Sequence, residues 1–541
     1  MSHYYSSLKE VEVDLHNFQR ETAKRLVINT IKESYYKNIT IIKFITGSGN
    51  HINSIEEKGV LYEVFPSWMS DNEIKHLIEH CKKYDGYYLV YLDFEQLQDD
   101  KNILFSCLTV NKVWCKIILP ILWKNPWKTL KKKQDKLLLN IILSHLSDEK
   151  KMELELDSLT DLYRKPLFDY ISFCRHLNFN KIERMIKSFQ EKSKLSIIEN
   201  EIINLFVNEN RYYTHLYISY QFAYQLHLFP GAKSCFSRIQ YLNCSTSIKN
   251  ELSDGLIKLC KSIKVLDLFI EALNNNDGII RLIRGQRNLS KICLTTHSYS
   301  DVYFCIALEN SLIEHVNTVQ YFKLTKRPST KIISSFVNLR GLEVSGCLND
   351  VLEWNYLDDV SLPYLEILRV SKIPFNALIS LIESTNGLLT EIKTNTILNV
   401  NVLNDERIIT KVIHQKCPKL QYLKIMLTHN DNNLSEFESL LIKCHYLDGL
   451  FITGNVGFDW DELFGVLIKS SPINLFKFKF SDSPSLESLK LFFDNWKGRR
   501  PLLLQFGHIE NVEDLIEEYK ARGIVKKFNN NVSFGEGFEW I

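Results

Sequence analysis

Val13-Asp14-Leu15-His16 closes one apolar run, and Ile45-Thr46-Gly47-Ser48-Gly49-Asn50-His51 follows about thirty residues later, with a helix-patterned stretch between them. The order reads strand, helix, strand, glycine loop. Asp14 and His16 stand two apart on a strand, so both side chains emerge on one face at its end. The second strand, Ile39 to Ile45, delivers a loop whose Gly47 and Gly49 let backbone N–H groups come close to an anion. A carboxylate, two imidazoles and a phosphate-sized loop at one edge of a small sheet point to chemistry on a phosphodiester.

These residues resemble the two hallmarks of the Smr (small MutS-related) domain, a D-L-H-G strand end and a T-G-x-G loop usually followed by a histidine. Here they read Asp14-Leu15-His16-Asn17 and Thr46-Gly47-Ser48-Gly49, with His51 close behind. The likeness continues through Gly59-Val60-Leu61-Tyr62-Glu63-Val64 and Trp68-Met69, similar to the family's second helix. It ends at Asp85-Gly86-Tyr87-Tyr88-Leu89-Val90-Tyr91-Leu92, similar to its last strand. Residues 11–92 are therefore expected to form a small αβ sandwich, and the resemblance implies binding or endonucleolytic cleavage of RNA or DNA. Asn17 departs from the family's glycine, and Tyr62 stands where a basic residue is common.

Hydrolysis needs a base or a metal-activated water, stabilisation of the charge on phosphorus, and a proton for the leaving oxygen. Asp14 is the candidate for orienting His16 or holding a divalent ion, and His16 for the base or a second metal ligand. Thr46, Gly47, Ser48 and Gly49 would cradle the phosphate, and His51 would protonate the leaving group. Simpler readings stand beside these. Asp14 caps the helix beginning near Phe18, and His51 bonds only its own loop.

Composition bounds the rest. At 541 residues the chain is too long for one compact core. With 45% hydrophobic and 24% charged residues it has an ordinary globular composition, and a net charge of +2 gives no general attraction to nucleic acid or anionic membrane. Residues 1–92 hold eleven Lys plus Arg against twelve Asp plus Glu. Phosphate contacts dominate nucleic-acid affinity, so such a domain depends on where its few cations lie, Lys43 and Lys58 among them. Glu10, Glu12 and Asp14 interrupt any signal-peptide core, and no apolar run approaches a membrane span. The twelve cysteines include no C-x-x-C pair and read as reduced core thiols of a cytoplasmic or nuclear protein.

Beyond Leu92 the pattern changes. Leu104-Phe105-Ser106-Cys107-Leu108-Thr109-Val110-Asn111-Lys112-Val113-Trp114-Cys115 runs on into Leu119-Pro120-Ile121-Leu122-Trp123 at near-helical spacing, with Pro120 expected to start or kink the last helix. This resembles the F-box of fungal proteins, a three-helix motif that docks the adaptor of a cullin-RING ubiquitin ligase. On that resemblance Leu108, Val110, Asn111, Trp114, Pro120 and Trp123 would shape the docking surface. Only Asp93 to Leu97 remains for the first F-box helix. Lys112 to Lys133 contains seven lysines and no acid, which reads as a solvated helix face or as a local phosphate-binding strip. Trp123 and Trp127 read as core residues.

Residues 131–235 read as a helical linker. From 236 to 541 a unit of apolar-x-x-apolar-x-apolar recurs, as in Ile263-x-x-Leu266-x-Leu268, Leu339-x-x-Leu342-x-Val344 and Leu365-x-x-Leu368-x-Val370. It returns in Leu420-x-x-Leu423-x-Ile425 and Leu447-x-x-Leu450-x-Ile452. Counting further copies at Leu289, Val319 and Ile473 and weaker ones at Tyr241 and Leu389, starts lie about 20 to 31 residues apart, the range of leucine-rich repeats. Each unit would supply a strand and a helix, stacked into a solenoid with a parallel sheet and a concave face for a protein ligand. Phe534-Gly535-Glu536-Gly537-Phe538 follows no strand–helix context and reads as a terminal cap or tail.

The fold class expected is α/β: an Smr-like sandwich at 11–92, an F-box-like segment at 93–130, a helical linker, then the repeats. The functional reading is an F-box/leucine-rich-repeat substrate receptor carrying a nucleic-acid-binding, endonuclease-like domain. Its alternatives are an endonuclease targeted by its repeats, or a non-catalytic scaffold.

Overall fold

The computed structural model describes residues 10–530 apart from 17, 37–40, 48–59, 72, 93–100, 109–111, 129, 155–164, 189–194, 223, 297–300, 347–353, 355–356, 358–359, 396–404, 428–430 and 454–458. The chain is mixed α/β and divides into two compact units, Met1–His176 with Ser188–Leu205, and Leu177–Lys187 with Phe206–Ile541.

The first unit opens with a four-stranded sheet. Its strands are β1 (Glu10–Asp14), β2 (Ile41–Ile45), β3 (Ile78–Tyr84) and β4 (Tyr87–Leu92), in the order β1-β2-β4-β3. β1 and β2 are parallel, which demands the crossover supplied by α1 (Arg20–Tyr36); β2 and β3 both pair antiparallel with β4. Alternation sorts the faces. Ile42, Phe44, Tyr88 and Val90 are buried against Ala23, Val27 and Ile31, which recur every fourth residue along α1, and against Phe65 and Trp68 of α2 (Val60–Trp68).

Pro66 lies inside α2 and has no N–H to give the carbonyl of Tyr62, four residues back. The Tyr88 hydroxyl donates to that carbonyl at 2.8 Å while the Tyr88 ring stacks on Phe65, centroids 4.6 Å apart. A helix defect and a sheet tyrosine thus satisfy each other.

Next come α3 (Lys101–Leu108) and α4 (Lys112–Lys124). A single helix runs through Pro120, so the proline neither starts nor ends one; the loss of one N–H donor is borne by a helix whose apolar side is anchored by buried Ile118 and Leu119. Ile121 packs against the core under the four-stranded sheet. Trp123 stacks on Tyr170 with centroids 4.9 Å apart, and Trp127 is buried.

The second sheet has fourteen strands among the described residues, arranged in strict chain order from His176–Asn178 to Val525–Asn529. Each pair from His215–Ile218 onward is parallel, and the segments between strands carry helices such as Phe375–Glu383 and Asp431–Lys443. The sheet reaches back into the stretch read as a helical linker. His176–Asn178 and His215–Ile218 are too short, at three and four residues, to stand out as strands by alternation.

Along strands such as Ile367–Ser371 buried and partly exposed positions alternate, whereas Gly449–Thr453 is buried throughout. Leu266, Leu342, Leu368, Leu423 and Leu450 belong to one continuous register row and are at most 1% exposed. The neighbouring row carries Asp267, Cys293, Lys323, Glu343, Arg369 and Lys393 on the other face. These polar groups bond laterally: Tyr241 to Asp267 at 2.8 Å, Tyr321 to Glu343 at 2.9 Å, Arg369 to Glu391 at 2.6 Å. No helix among the described residues is long and apolar enough to cross a membrane.

Candidate functional site

The ends of β1 and β2 finish together because the parallel register pairs Asp14 with Ile45. Leu15 N–H extends the ladder by donating to the Ile45 carbonyl at 2.8 Å. His16 and Thr46-Gly47 are therefore neighbours in space although thirty residues apart in sequence.

The His16 backbone N–H donates to Asp14 Oδ1 at 2.8 Å, and His16 Nδ1 meets the same oxygen at 2.5 Å. The backbone donor first, and the imidazole second, hold the Asp14 carboxyl below its ordinary range. An ionised carboxylate only accepts, so Nδ1 is the donor in this contact, and in the neutral imidazole that tautomer makes Nε2 the acceptor. Both side chains are open to solvent, at 62% for Asp14 and 43% for His16.

Gly47 completes the arrangement. Its φ is +74°, and a Cβ there would stand 2.7 Å from His16 Nε2. A side chain there would push the imidazole from its place, and the positive φ favours glycine as well. The Thr46 and Gly47 N–H groups, expected to turn towards an anion, both donate to the Gly86 carbonyl at 3.0 Å. Gly86 has φ +77° and forms the tight Asp85-Gly86 turn between β3 and β4, which brings that carbonyl to the site. The Asp-Gly pair between two apolar runs was the available signal for this turn. The Thr46 hydroxyl is buried and has no hydrogen-bond partner.

Asp14, His16, Thr46 and Gly47 are thus brought together at one sheet edge. Ser48, Gly49 and His51 lie outside the described residues, as do Asn17, Lys58, Val110, Asn111 and the glycine-containing tail at 534–538. Any loop N–H directed at a phosphate must come from positions after Gly47. A carboxylate oxygen and an imidazole nitrogen are donors that a divalent ion accepts. Among the described residues, no group of three His, Cys, Asp or Glu side chains assembles to hold one.

Of the residues assigned to adaptor docking, Leu108 ends α3, while Trp114, Pro120 and Trp123 fall on α4. Leu104, Leu108, Leu119, Leu122 and Trp123 line an apolar cavity of about 280 Å³. The Cys115 thiol donates to the Leu108 carbonyl at 3.1 Å and ties the two helices at their junction.

The first unit therefore contains a two-layer α/β domain with an acid–imidazole pair and a glycine loop at adjoining parallel strand ends. Residues 13–93 match the family model of the Smr domain, so the resemblance carried by Asp14-Leu15-His16 and Thr46-Gly47-Ser48-Gly49 holds over that whole domain. No family model matches the segments resembling the F-box and leucine-rich repeats. No curated protein matches the chain.

Proposed function

We propose that the Smr-type domain binds nucleic acid and cleaves its phosphodiester backbone, using Asp14 and His16 as an acid-oriented general base. The observation that carries this is the 2.5 Å contact between His16 Nδ1 and Asp14 Oδ1 beside a glycine whose missing Cβ leaves room for the imidazole. It leaves Nε2 to take a proton from the attacking water or hydroxyl, while Asp14 steadies the imidazolium that forms. The Thr46 hydroxyl and the loop up to Gly49 would receive the phosphate oxygens, and His51 would return a proton to the leaving oxygen. The full-length chain incubated with end-labelled RNA and DNA should nick one of them. Asp14→Ala with His16→Ala should abolish nicking and leave the circular dichroism spectrum unchanged. Equal cleavage by the double mutant rules this site out.

The rest of the chain supports a targeting role. Parallel strands in chain order, inward leucines in one register row and intervening helices favour a leucine-rich-repeat-like solenoid, whose polar sheet face would hold a protein ligand. A second reading rests on the cavity between α3 and α4. Its apolar lining from Leu108 to Trp123 suits a recess for the adaptor subunit of a cullin-RING ligase, which would make the protein a ubiquitin-ligase substrate receptor. A pull-down of full-length chain with that adaptor tests it, and absence of binding removes this reading while leaving the nuclease reading in place.

A further inference from the structure

Register places Asp14, Ile45, Tyr87 and Tyr84 in one row across the four strands of the Smr-type sheet. The row lies on the face opposite Phe44 and Tyr88, since alternate residues point to opposite sides. Its two tyrosines stack on each other, with centroids 4.9 Å apart and planes 4° from parallel. The Lys43 ammonium lies 5.0 Å from the Tyr87 ring centroid, and the Tyr62 hydroxyl pins the Tyr84 carbonyl at 2.8 Å. The rings stand on a braced backbone, and Tyr84, on the edge strand, is 38% exposed.

We propose that this tyrosine ladder is a stacking platform for an unpaired base, so that the domain selects single-stranded over double-stranded nucleic acid. The inference rests on the reading that the domain acts on nucleic acid, and it names the substrate class. Only an unpaired base offers its π-face to a protein ring, because duplex bases already stack on each other. Strands are spaced by about 4.8 Å, so Tyr87 and Tyr84 stand roughly 10 and 14 Å across the sheet from Asp14. A short extended strand covers that distance, with a base on the ladder and a downstream phosphate at the Asp14–His16 pair. Charge fits the same reading. With eleven cations against twelve acids in residues 1–92, net charge gives the domain no general attraction to phosphate, and base stacking adds affinity that does not depend on it.

The test measures fluorescence anisotropy of labelled oligo-uridine, oligo-thymidine and a blunt duplex with the full-length protein. Single strands should bind more tightly than duplex, with a shallow dependence on salt. Tyr84→Ala should weaken single-strand binding by roughly 5- to 150-fold, the effect of losing one base–ring stack, whereas Tyr84→Phe should retain it. If Tyr84→Ala binds single strands like the parent, or duplex binds as tightly as single strand, the platform is excluded although cleavage at Asp14–His16 stands. A parent chain that neither binds nor cuts any of the three probes overturns the underlying reading together with the platform.

Discussion

Replacing Gly47 by alanine separates the glycine loop's structural demand from its chemistry. The added methyl would stand 2.7 Å from His16 Nε2, so the ring must retreat by about 0.7 Å to reach ordinary contact at 3.4 Å. The His16 side chain is 43% exposed and has space to swing outward, which breaks its 2.5 Å contact with Asp14. A backbone φ of +74° in a residue with a Cβ costs about 1–3 kcal/mol more. The strand ends remain tied by the Leu15–Ile45 bond and by the Gly86 carbonyl, so the domain should stay folded with a lowered melting temperature. Misplacing a catalytic group by about 1 Å costs on the order of 100-fold in rate. Gly47→Ala should therefore slow nicking of the labelled substrate by one to two orders of magnitude while binding changes little. Parental cleavage rates in a folded Gly47→Ala protein would refute the placement of Nε2 at the reacting centre.

Three further outcomes follow from the packing. Tyr88→Phe removes the donor that satisfies the carbonyl orphaned by Pro66, and should cost about 1–3 kcal/mol in denaturant unfolding; adding Pro66→Ala restores a helical donor and should recover part of it, and no recovery would refute the pairing. Leu368→Ala opens a void in a row of fully buried side chains and should destabilise the second unit by about 2–5 kcal/mol, whereas a loss below 1 kcal/mol would mean that the row is not close-packed. The Asp14 carboxyl is held below its ordinary value near 3.8 by His16, so its stabilising contribution is present above that value and disappears as pH falls through the lowered one. A carboxyl carbon-13 titration of Asp14 should show a midpoint under 3.8, and one at or above it contradicts the contact.

Much of the site was legible because its signals are local. Asp14 and His16 share a face through the two-residue strand period, and a glycine loop after an apolar run announces a tight backbone whatever surrounds it. The repeat strands were visible for the same reason, since apolar-x-x-apolar-x-apolar at Leu342 or Leu423 states which positions must be covered. The closure of the loop was not. Thr46 and Gly47 donate to a carbonyl about forty residues downstream, and Gly86 has no side chain to advertise that role. Pro120 does not start a helix as one of its two readings had it, because a proline's place within a helix also depends on the packing of neighbours such as Ile118, Leu119 and Ile121.

Periodicity and residue chemistry alone determined that an acid, an imidazole and a glycine loop end two strands, and that inward leucines recur along the C-terminal half. Tertiary structure decided that the Thr46 and Gly47 N–H groups go to the Gly86 carbonyl, that a Cβ at Gly47 would displace His16, and that Tyr84 and Tyr87 stack in the row containing Asp14. The division has one physical cause. Side-chain direction along a strand is a property of consecutive residues, whereas register and the partner of a given carbonyl depend on segments that meet only when the chain has folded.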